Sequence, residues 1–181
     1  MNLTDAMRQF ILHWGEMGTR WGVNRTVAQV HALLYLSPEA LTAEDIADTL
    51  SVARSNVSTS LKELQNWNLV QIDNRIGDRR DYFQTSSDVW QLFLIVVEQR
   101  VEREILPTLT MLRRCASEAR AERPNQPVVA ARITAMQAFL EELYSWYTQI
   151  KGIPLTSLRS LIRVGSGITR VLPKPKRRRL D

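Results

Sequence analysis

Apolar residues recur at helical spacing near the start of the chain. They fall at alternating steps of four and three residues, which predicts a first helix with its apolar seam at Leu3, Met7, Phe10, Trp14, Met17 and Trp21. Three glycines interrupt this helix, at positions 15, 18 and 22. Each weakens an isolated helix by about 1 kcal/mol relative to Ala. We therefore expect another helix to pack so closely here that a side chain at these positions would not fit. A second helix is predicted from Asn24 to Leu36, with Val27, Val30, Leu33 and Leu34 inward.

Two short helices are predicted in the middle of the chain, with only Ser51 and Val52 between them. The first begins at the expected N-cap Thr42 and buries Ile46, Ala47 and Leu50. The second spans residues 53–66 and has an apolar stripe at Val57, Leu61 and Leu64. Its other side carries hydroxyls, an amide and cations, which can donate to phosphates and reach base edges in a major groove about 12 Å wide. The predicted reading face consists of Arg54, Ser55, Asn56, Ser58, Thr59 and Lys62.

A basic hairpin is predicted directly after these helices. Residues 69–73 and 81–85 read as extended runs joined by a turn that contains glycine. Arg75, Arg79 and Arg80 lie at its tip, where a wing can reach phosphates or the minor groove. From the second short helix alone, an ordinary surface helix would be an equal alternative. Helix, turn, helix and basic hairpin in this order predict a winged helix-turn-helix, in a fold that is mainly α with a small β-hairpin wing.

Long helices are predicted after the wing. One begins at Ser87-Asp88, and Pro107 should kink or break it near Leu106 before it resumes over residues 108–120. Another repeats the four-three spacing over three heptads, at Val129, Ile133, Met136, Leu140, Leu143, Tyr147 and Ile150. Such helices outside the DNA-reading module favour packing across a two-fold axis as well as within a subunit. We therefore expect a homodimer, and a purely intrachain bundle is the alternative.

The end of the chain is basic. Residues 1–142 contain 15 Lys+Arg and 18 Asp+Glu, whereas residues 143–180 contain nine Lys+Arg and no acid. A short amphipathic helix is predicted after Pro154, and Gly165-Ser-Gly should loosen the chain before a solvated tail. The tail cations are Lys174, Lys176, Arg177, Arg178 and Arg179. We expect them to bind DNA phosphates; a solubilising tail is the second interpretation, and a nuclear-import or membrane-surface signal the third.

Length and composition limit the kinds of protein that this chain can be. A chain of 181 residues with 44% hydrophobic residues fits one domain, or one domain with added dimerisation helices. The longest uncharged apolar run, Leu92 to Val97, is too short to cross a bilayer, and no signal peptide is recognisable. We expect a cytoplasmic protein without a membrane partner.

Catalytic and metal chemistry find little support in the sequence. The single cysteine, Cys115, excludes an intrachain disulfide and a Cys-rich zinc site. His13 and His31 lack a nearby ligand pattern, so a structural role is predicted for both. No nucleophile-base pair or Gly-rich phosphate loop appears, and Glu141 and Glu142 point apart on a helix. The protein is therefore predicted not to be an enzyme and to have no cofactor.

Several stretches resemble a known family. They are F-I-L-H-W-G-E-M-G-T-R-W-G from Phe10, R-T-V-A-Q-V-H-A-L-L-Y-L-S-P from Arg25, R-S-N-V-S-T-S-L-K-E-L-Q-N-W-N-L-V from Arg54 and G-D-R-R-D-Y-F from Gly77. Together they resemble the GbsR-like branch of MarR-type bacterial transcriptional regulators, over residues 3–90 closely and over 91–150 in architecture. The resemblance implies a homodimer on a pseudo-palindromic operator. Ala53 departs from the family, which usually has a capping Ser there, so the reading helix would be frayed or capped by Ser51.

The resemblance also implies a small-molecule effector. This branch is associated with choline and osmoprotectant genes, and indole faces can bind a quaternary ammonium group. Candidate indoles are Trp14, Trp21, Trp67 and Trp90, with Trp146 further along the chain. Tryptophans at helical spacing are more often core residues, which is the alternative.

The sequence thus predicts four segments. Residues 1–23 form an N-terminal helix that contributes to dimerisation, 24–86 the winged helix-turn-helix domain, 87–151 the helical dimerisation region, and 152–181 the basic C-terminal segment and tail. The predicted function is a dimeric, sequence-specific DNA-binding transcriptional regulator, most simply a repressor, that reads double-stranded operator DNA with helix 53–66 and a basic wing at 74–81. The alternative is a winged-helix assembly module that binds protein without reading DNA.

Overall fold

A computed structural model describes residues 1–122 and 127–168 of the chain. The backbone contacts divide it into two compact units, one from Met1 to Arg100 and one that begins at Val101. The first unit contains five helices and a small sheet within the described residues, and the second is helical.

Two helices open the first unit. Helix α1 spans Asp5–Arg20 and packs along helix α2, Arg25–Leu36. The expected tight contact is confirmed, since a Cβ built on Gly18 would lie 2.5 Å from the Ala28 Cβ. The α1 seam is only partly as predicted: the buried positions are Ile11 and Gly15, while Trp14 and Trp21 are exposed. The buried stripe lies one position further along the helix, because the glycine stripe rather than the indoles sets the closest approach to α2.

The helix-turn-helix follows. Helix α3, Ala43–Leu50, begins at Thr42, whose side chain accepts from the Asp45 N–H while the Asp45 carboxylate accepts from the Thr42 N–H. Helix α4 spans Arg54–Asn66. Between them Ser51 adopts a left-handed conformation with φ of 54°, and the Val52 N–H donates to the Ala47 carbonyl, which closes α3.

The wing belongs to a three-stranded antiparallel sheet in the order β1-β3-β2. Strands β2, Gln71–Asn74, and β3, Asp81–Gln84, form the predicted hairpin. Strand β1, Leu41–Thr42, pairs with β3 and was not predicted, because two residues are too few to show alternation. It ties the start of α3 to the base of the wing.

The core of this unit lies between α2, α3, α4 and the sheet. The predicted inward residues of α2 are all buried, as are Val57, Leu61 and Leu64 of α4. Helix α5, Val89–Arg100, completes the unit and packs on this core chiefly through Leu92.

The second unit begins with a π-helical turn, Val101–Ile105, which leads into helix α6, Leu106–Glu122. Pro107 does not break the chain's helical course. A proline ring clashes with the carbonyl four residues before it and removes a donor, and the wider turn directly upstream accommodates both effects.

Helices α7 and α8 follow, at Pro127–Lys151 and Leu155–Ile168. Helix α6 packs against α7, and Arg113 donates to Glu141 across that contact at 2.8 Å. Helix α8 continues through Gly165 to Gly167, where looser chain was expected, since a glycine weakens a helix without forbidding it.

Candidate nucleic-acid interface

Helix α4 presents one polar face to solvent. The side that carries Val57, Leu61 and Leu64 is buried in the core, so the positions between them point outward. All six predicted reading residues are exposed: Arg54, Ser55, Asn56, Ser58, Thr59 and Lys62. The face offers amide, hydroxyl and cationic groups, which can bond base edges and phosphates. Which of them touch DNA remains a prediction.

The start of α4 is uncapped. Ala53 has no side chain that could accept a hydrogen bond from the first turn, and the helix has no side-chain cap. The prediction that Ser51 supplies this cap is wrong, because Ser51 is the residue that ends α3. Of the first-turn N–H groups, that of Asn56 donates to the Ala53 carbonyl at 2.9 Å, and those of Arg54 and Ser55 are left for an acceptor such as a phosphate oxygen.

An acid accompanies the first residue of this helix. Glu44, in the first turn of α3, lies 3.9 Å from the Arg54 guanidinium, and both side chains are about two-thirds exposed at 66% and 68%. No local pattern in the sequence pairs these residues, which belong to different helices and come together only through the way α3 and α4 pack.

The wing contains a network of hydrogen bonds around Tyr82. The Arg80 side chain donates to both carboxylate oxygens of Asp78, at 2.7 Å to Oδ2 from Nη2 and 3.0 Å to Oδ1 from Nε. Nη2 also donates to the Tyr82 hydroxyl at 2.8 Å, and that hydroxyl donates to Asp78 at 2.8 Å. The guanidinium of Arg75 lies over the Tyr82 ring, 3.9 Å from its centroid, and 3.6 Å from the Asp73 carboxylate. We call Arg75, Asp78, Arg80 and Tyr82 the wing clamp.

The clamp distinguishes between the three wing arginines. Hydrogen bonds from Arg80, then from Tyr82, hold the pKa of the Asp78 carboxyl well below its usual range. Arg79, between the clamped residues, is exposed and forms no ion pair with a carboxylate in the described part of the chain. The three arginines were predicted as equivalents. The alternating positions of Asp78, Arg80 and Tyr82 could have indicated a shared face of an extended chain.

The other predicted sites lie elsewhere. Trp14 and Trp21 are 42% and 59% exposed, and Trp14 stacks on Phe10 at 5.3 Å. Trp67 and Trp90 are half-buried, and Trp90 meets Phe93 edge-on at 6.5 Å. Trp146, in the second unit, is exposed. The tail cations Lys174, Lys176, Arg177, Arg178 and Arg179 lie outside the described residues.

His31 is buried in the winged-helix core, as its predicted structural role requires. Its Nε2 is 3.3 Å from the Thr85 hydroxyl, which donates to the Leu69 carbonyl at 2.6 Å. Because that donation uses the only hydroxyl proton, Nε2 must be the donor to Thr85. Burial lowers the pKa of His31 from 6.5 to about 4.

The described residues contain neither a metal-ligand cluster nor a membrane-spanning helix. Among residues 1–122 and 127–168, no three His, Cys, Asp or Glu side chains gather in a way that could hold a metal ion. Over the same ranges, every helix is too short or too polar to cross a bilayer.

The chain resembles known proteins in sequence. Residues 21–81 match the sequence model of the MarR family. The HTH-type transcriptional repressor GbsR of Bacillus subtilis (strain 168) is 25% identical over 92 residues, which is 51% of this chain and 51% of GbsR. The chain thus spans about half the length of this curated relative in the match.

A solved structure resembles more of the fold. The crystal structure of a transcriptional regulator superposes with a TM-score of 0.65 at 19% identity, over 81% of this chain and 96% of that one. At this identity the likeness is one of fold alone, and the helices and hairpin of this chain itself confirm the fold class predicted from the sequence. The proteins in these comparisons are regulators of transcription rather than enzymes.

Proposed function

We propose that the protein is a dimeric, sequence-specific DNA-binding transcriptional regulator, and the match of residues 21–81 to the sequence model of the MarR family supports this. It acts in the bacterial cytoplasm and represses a promoter by occupying it. Its two α4 helices enter successive major grooves about one helical turn apart.

One observation carries the proposal. The α4 face with Arg54, Asn56 and Thr59 is exposed, while the opposite side of the same helix anchors the core. The core fixes the backbone of the helix, so its polar side chains project from defined positions before DNA arrives. Preorganised donors lose little entropy on binding, which favours base reading over loose electrostatic attachment.

Dimerisation is supported by an apolar stripe on α7. Met136, Phe139, Leu143 and Trp146 repeat at steps of three and four and are 44% to 62% exposed. The half-buried Ile133 and Leu140 flank this stripe along one edge of the same helix. A stripe of this kind fits a facing helix from a second copy of the chain.

The test is a selection of bound fragments from random duplex DNA, followed by affinity measurements on the selected operator and on a random duplex. Asn56→Ala should weaken operator binding by about tenfold to a hundredfold and change random binding little, because a bidentate amide contact discriminates by about 1–3 kcal/mol. Lys62→Ala should weaken binding to both duplexes alike if it contacts a phosphate. Equal losses from Asn56→Ala on both duplexes would contradict base reading.

The winged-helix assembly module is the second candidate, and the acidity of residues 1–142 favours it. A protein partner would tolerate an acidic surface that a duplex repels. Absence of binding to random duplex at low salt, together with failure of the selection to enrich any sequence, would support this candidate over the regulator.

We also propose a small-molecule effector with a quaternary ammonium group. The exposed indoles of Trp14 and Trp21 support it, because an accessible indole face attracts such a cation. Titration of the protein with choline should quench tryptophan fluorescence saturably, and Trp14→Leu should remove the response. Equal quenching by sodium chloride would contradict a specific site.

A further inference from the structure

The wing ends in a tight turn with an isoleucine at its apex. The Asp78 N–H donates to the Arg75 carbonyl at 3.1 Å, so residues 75–78 form one four-residue turn. Gly77, third in the turn, has φ of 83°, which a glycine adopts without strain and which a type II turn requires at this position. Ile76, second in the turn, is fully exposed, at 108% of its reference area.

Nothing around Ile76 in the sequence is apolar. From Asp73 to Asp81 the chain reads D-N-R-I-G-D-R-R-D, in which Ile76 is the only large hydrophobic residue. Turns normally carry polar residues because these are compatible with both the backbone and water. An isoleucine at the outermost point contributes nothing to the core of the protomer.

The wing clamp fixes the base of this turn. Arg75 is held over the Tyr82 ring and Arg80 is held by Asp78, so the residues on both sides of the turn are bonded to the hairpin. Because these contacts already exist in the protein without DNA, the turn presents Ile76 in one place. Little conformational entropy is then lost when the tip contacts a surface.

We propose that Ile76 is an apolar wedge that enters the minor groove of the operator beside the α4 site and bends the duplex there. The inference rests on the proposed DNA-binding function and names the contact that its wing makes. Apolar side chains inserted into the minor groove partly unstack a base step and kink DNA toward the major groove. Arg79, exposed next to the clamp, is in position to neutralise a phosphate at the edge of the same groove.

The contribution of an apolar wedge to DNA affinity can be separated from that of a cation by measuring how the affinity depends on salt concentration. A wedge gains affinity from apolar contact and from the bend, so its loss does not change the number of counterions released. Removal of Arg79 takes away about one phosphate contact and should lower the slope of log affinity against log salt by about 1.

The experiment compares Ile76→Ala with Ile72→Ala in the full chain, on the selected operator labelled at both ends for energy transfer. Ile72 is a matched control because it is a second exposed isoleucine, at 41%, on strand β2 of the same hairpin. We expect Ile76→Ala to weaken operator binding by about tenfold, to reduce the end-to-end bend and to leave the salt slope unchanged. Ile72→Ala should match the wild type in all three measurements.

Several outcomes would overturn the wedge. Wild-type affinity and bend in Ile76→Ala would do so while leaving the regulator function intact, because the unmodified protein would still select its operator. An equal loss in Ile72→Ala would also overturn it, since the effect would then belong to the hairpin as a whole. If the wild type binds no duplex at all, the proposed function fails and the wedge fails with it.

Discussion

Arg54 Nη1, at the start of α4, lies 3.9 Å from the Oε1 of Glu44, which belongs to the first turn of α3. The pair joins a residue predicted to read DNA to an acid that a phosphate would repel. Because both side chains are largely exposed, the ion pair itself contributes little to folding, on the order of 1 kcal/mol or less. Its importance lies in how the carboxylate changes the charge that the reading face offers to DNA.

Glu44→Gln should therefore raise affinity for DNA. Removal of one negative charge near the phosphates should strengthen binding by about threefold to tenfold at low salt, on operator and random duplex alike, and the gain should shrink as salt is added. Fluorescence anisotropy with both duplexes at several salt concentrations measures this.

Glu16→Gln provides the control for Glu44→Gln. Glu16 forms a comparable exposed pair with Arg25, at 3.6 Å, on helices outside the helix-turn-helix. If both substitutions raise affinity equally, the effect comes from net charge and not from the position of Glu44.

The basic tail should act on all DNA without regard to sequence. Deletion of residues 174–179, which contain five cations, should lower affinity for operator and random duplex and reduce the salt slope by up to about 4. The measurement is the dependence of affinity on salt for the full chain and the truncated chain.

A charge-preserving variant tests the same explanation. Replacement of Arg177, Arg178 and Arg179 by lysine should keep the salt slope of the full chain. Lysine has the same positive charge as arginine, and this charge sets the number of counterions released from the phosphates. An unchanged slope after deletion would mean that the tail serves solubility instead.

The winged-helix fold could be predicted because its elements have strong local patterns. The apolar stripe of α4, the Thr42 cap and the alternation around the Gly77 turn each depend on neighbours within a few residues. The burial of Val57, Leu61 and Leu64 follows from that stripe and is found in the structure.

The contacts that refine the site could not be predicted in the same way. Strand β1 is too short for a pattern, and the Arg54 pair with Glu44 depends on how two helices cross. Trp14 and Trp21 fit the predicted seam of α1, yet the side with Gly15 faces α2, because residues without side chains allow the closest backbone approach. The periodicity of apolar residues identifies the apolar side of a helix. It does not show which part of that side is most deeply buried.

The stripe on α7 should hold two copies of the chain together. Phe139→Glu places a charge in the middle of the exposed apolar stripe, where burial against a second copy would be costly. Sedimentation should show a dimer for the wild type and a shift of at least tenfold toward monomer for the variant. Loss of the dimer should also weaken operator binding, since two half-sites are read together.

Ala138→Glu is the matched control for Phe139→Glu. Ala138 is an exposed neighbour on the same helix, about a quarter-turn away and outside the stripe. A wild-type dimer in both variants would exclude the α7 stripe as the interface, and dissociation in both would indicate a general effect of charge on α7.

His31 should make the stability of the winged domain depend on pH. Burial lowers its pKa to about 4 in the folded protein from 6.5 when it is unfolded, so the folded state favours the neutral ring. The unfolded chain then binds more protons between these values, so the stabilisation is complete above about pH 6.5 and is lost as the pH falls toward 4. Between pH 7.5 and 5, His31 should lower the free energy of unfolding by about 2 kcal/mol. Urea unfolding at several pH values measures this loss of stability. His31→Gln should abolish the loss, and His13→Gln, at the exposed histidine of α1, should retain it.

Proton NMR of the wild type tests the same explanation without a variant, because it follows the protonation of the His31 ring directly. An imidazole midpoint near 6.5 for His31 would refute the explanation.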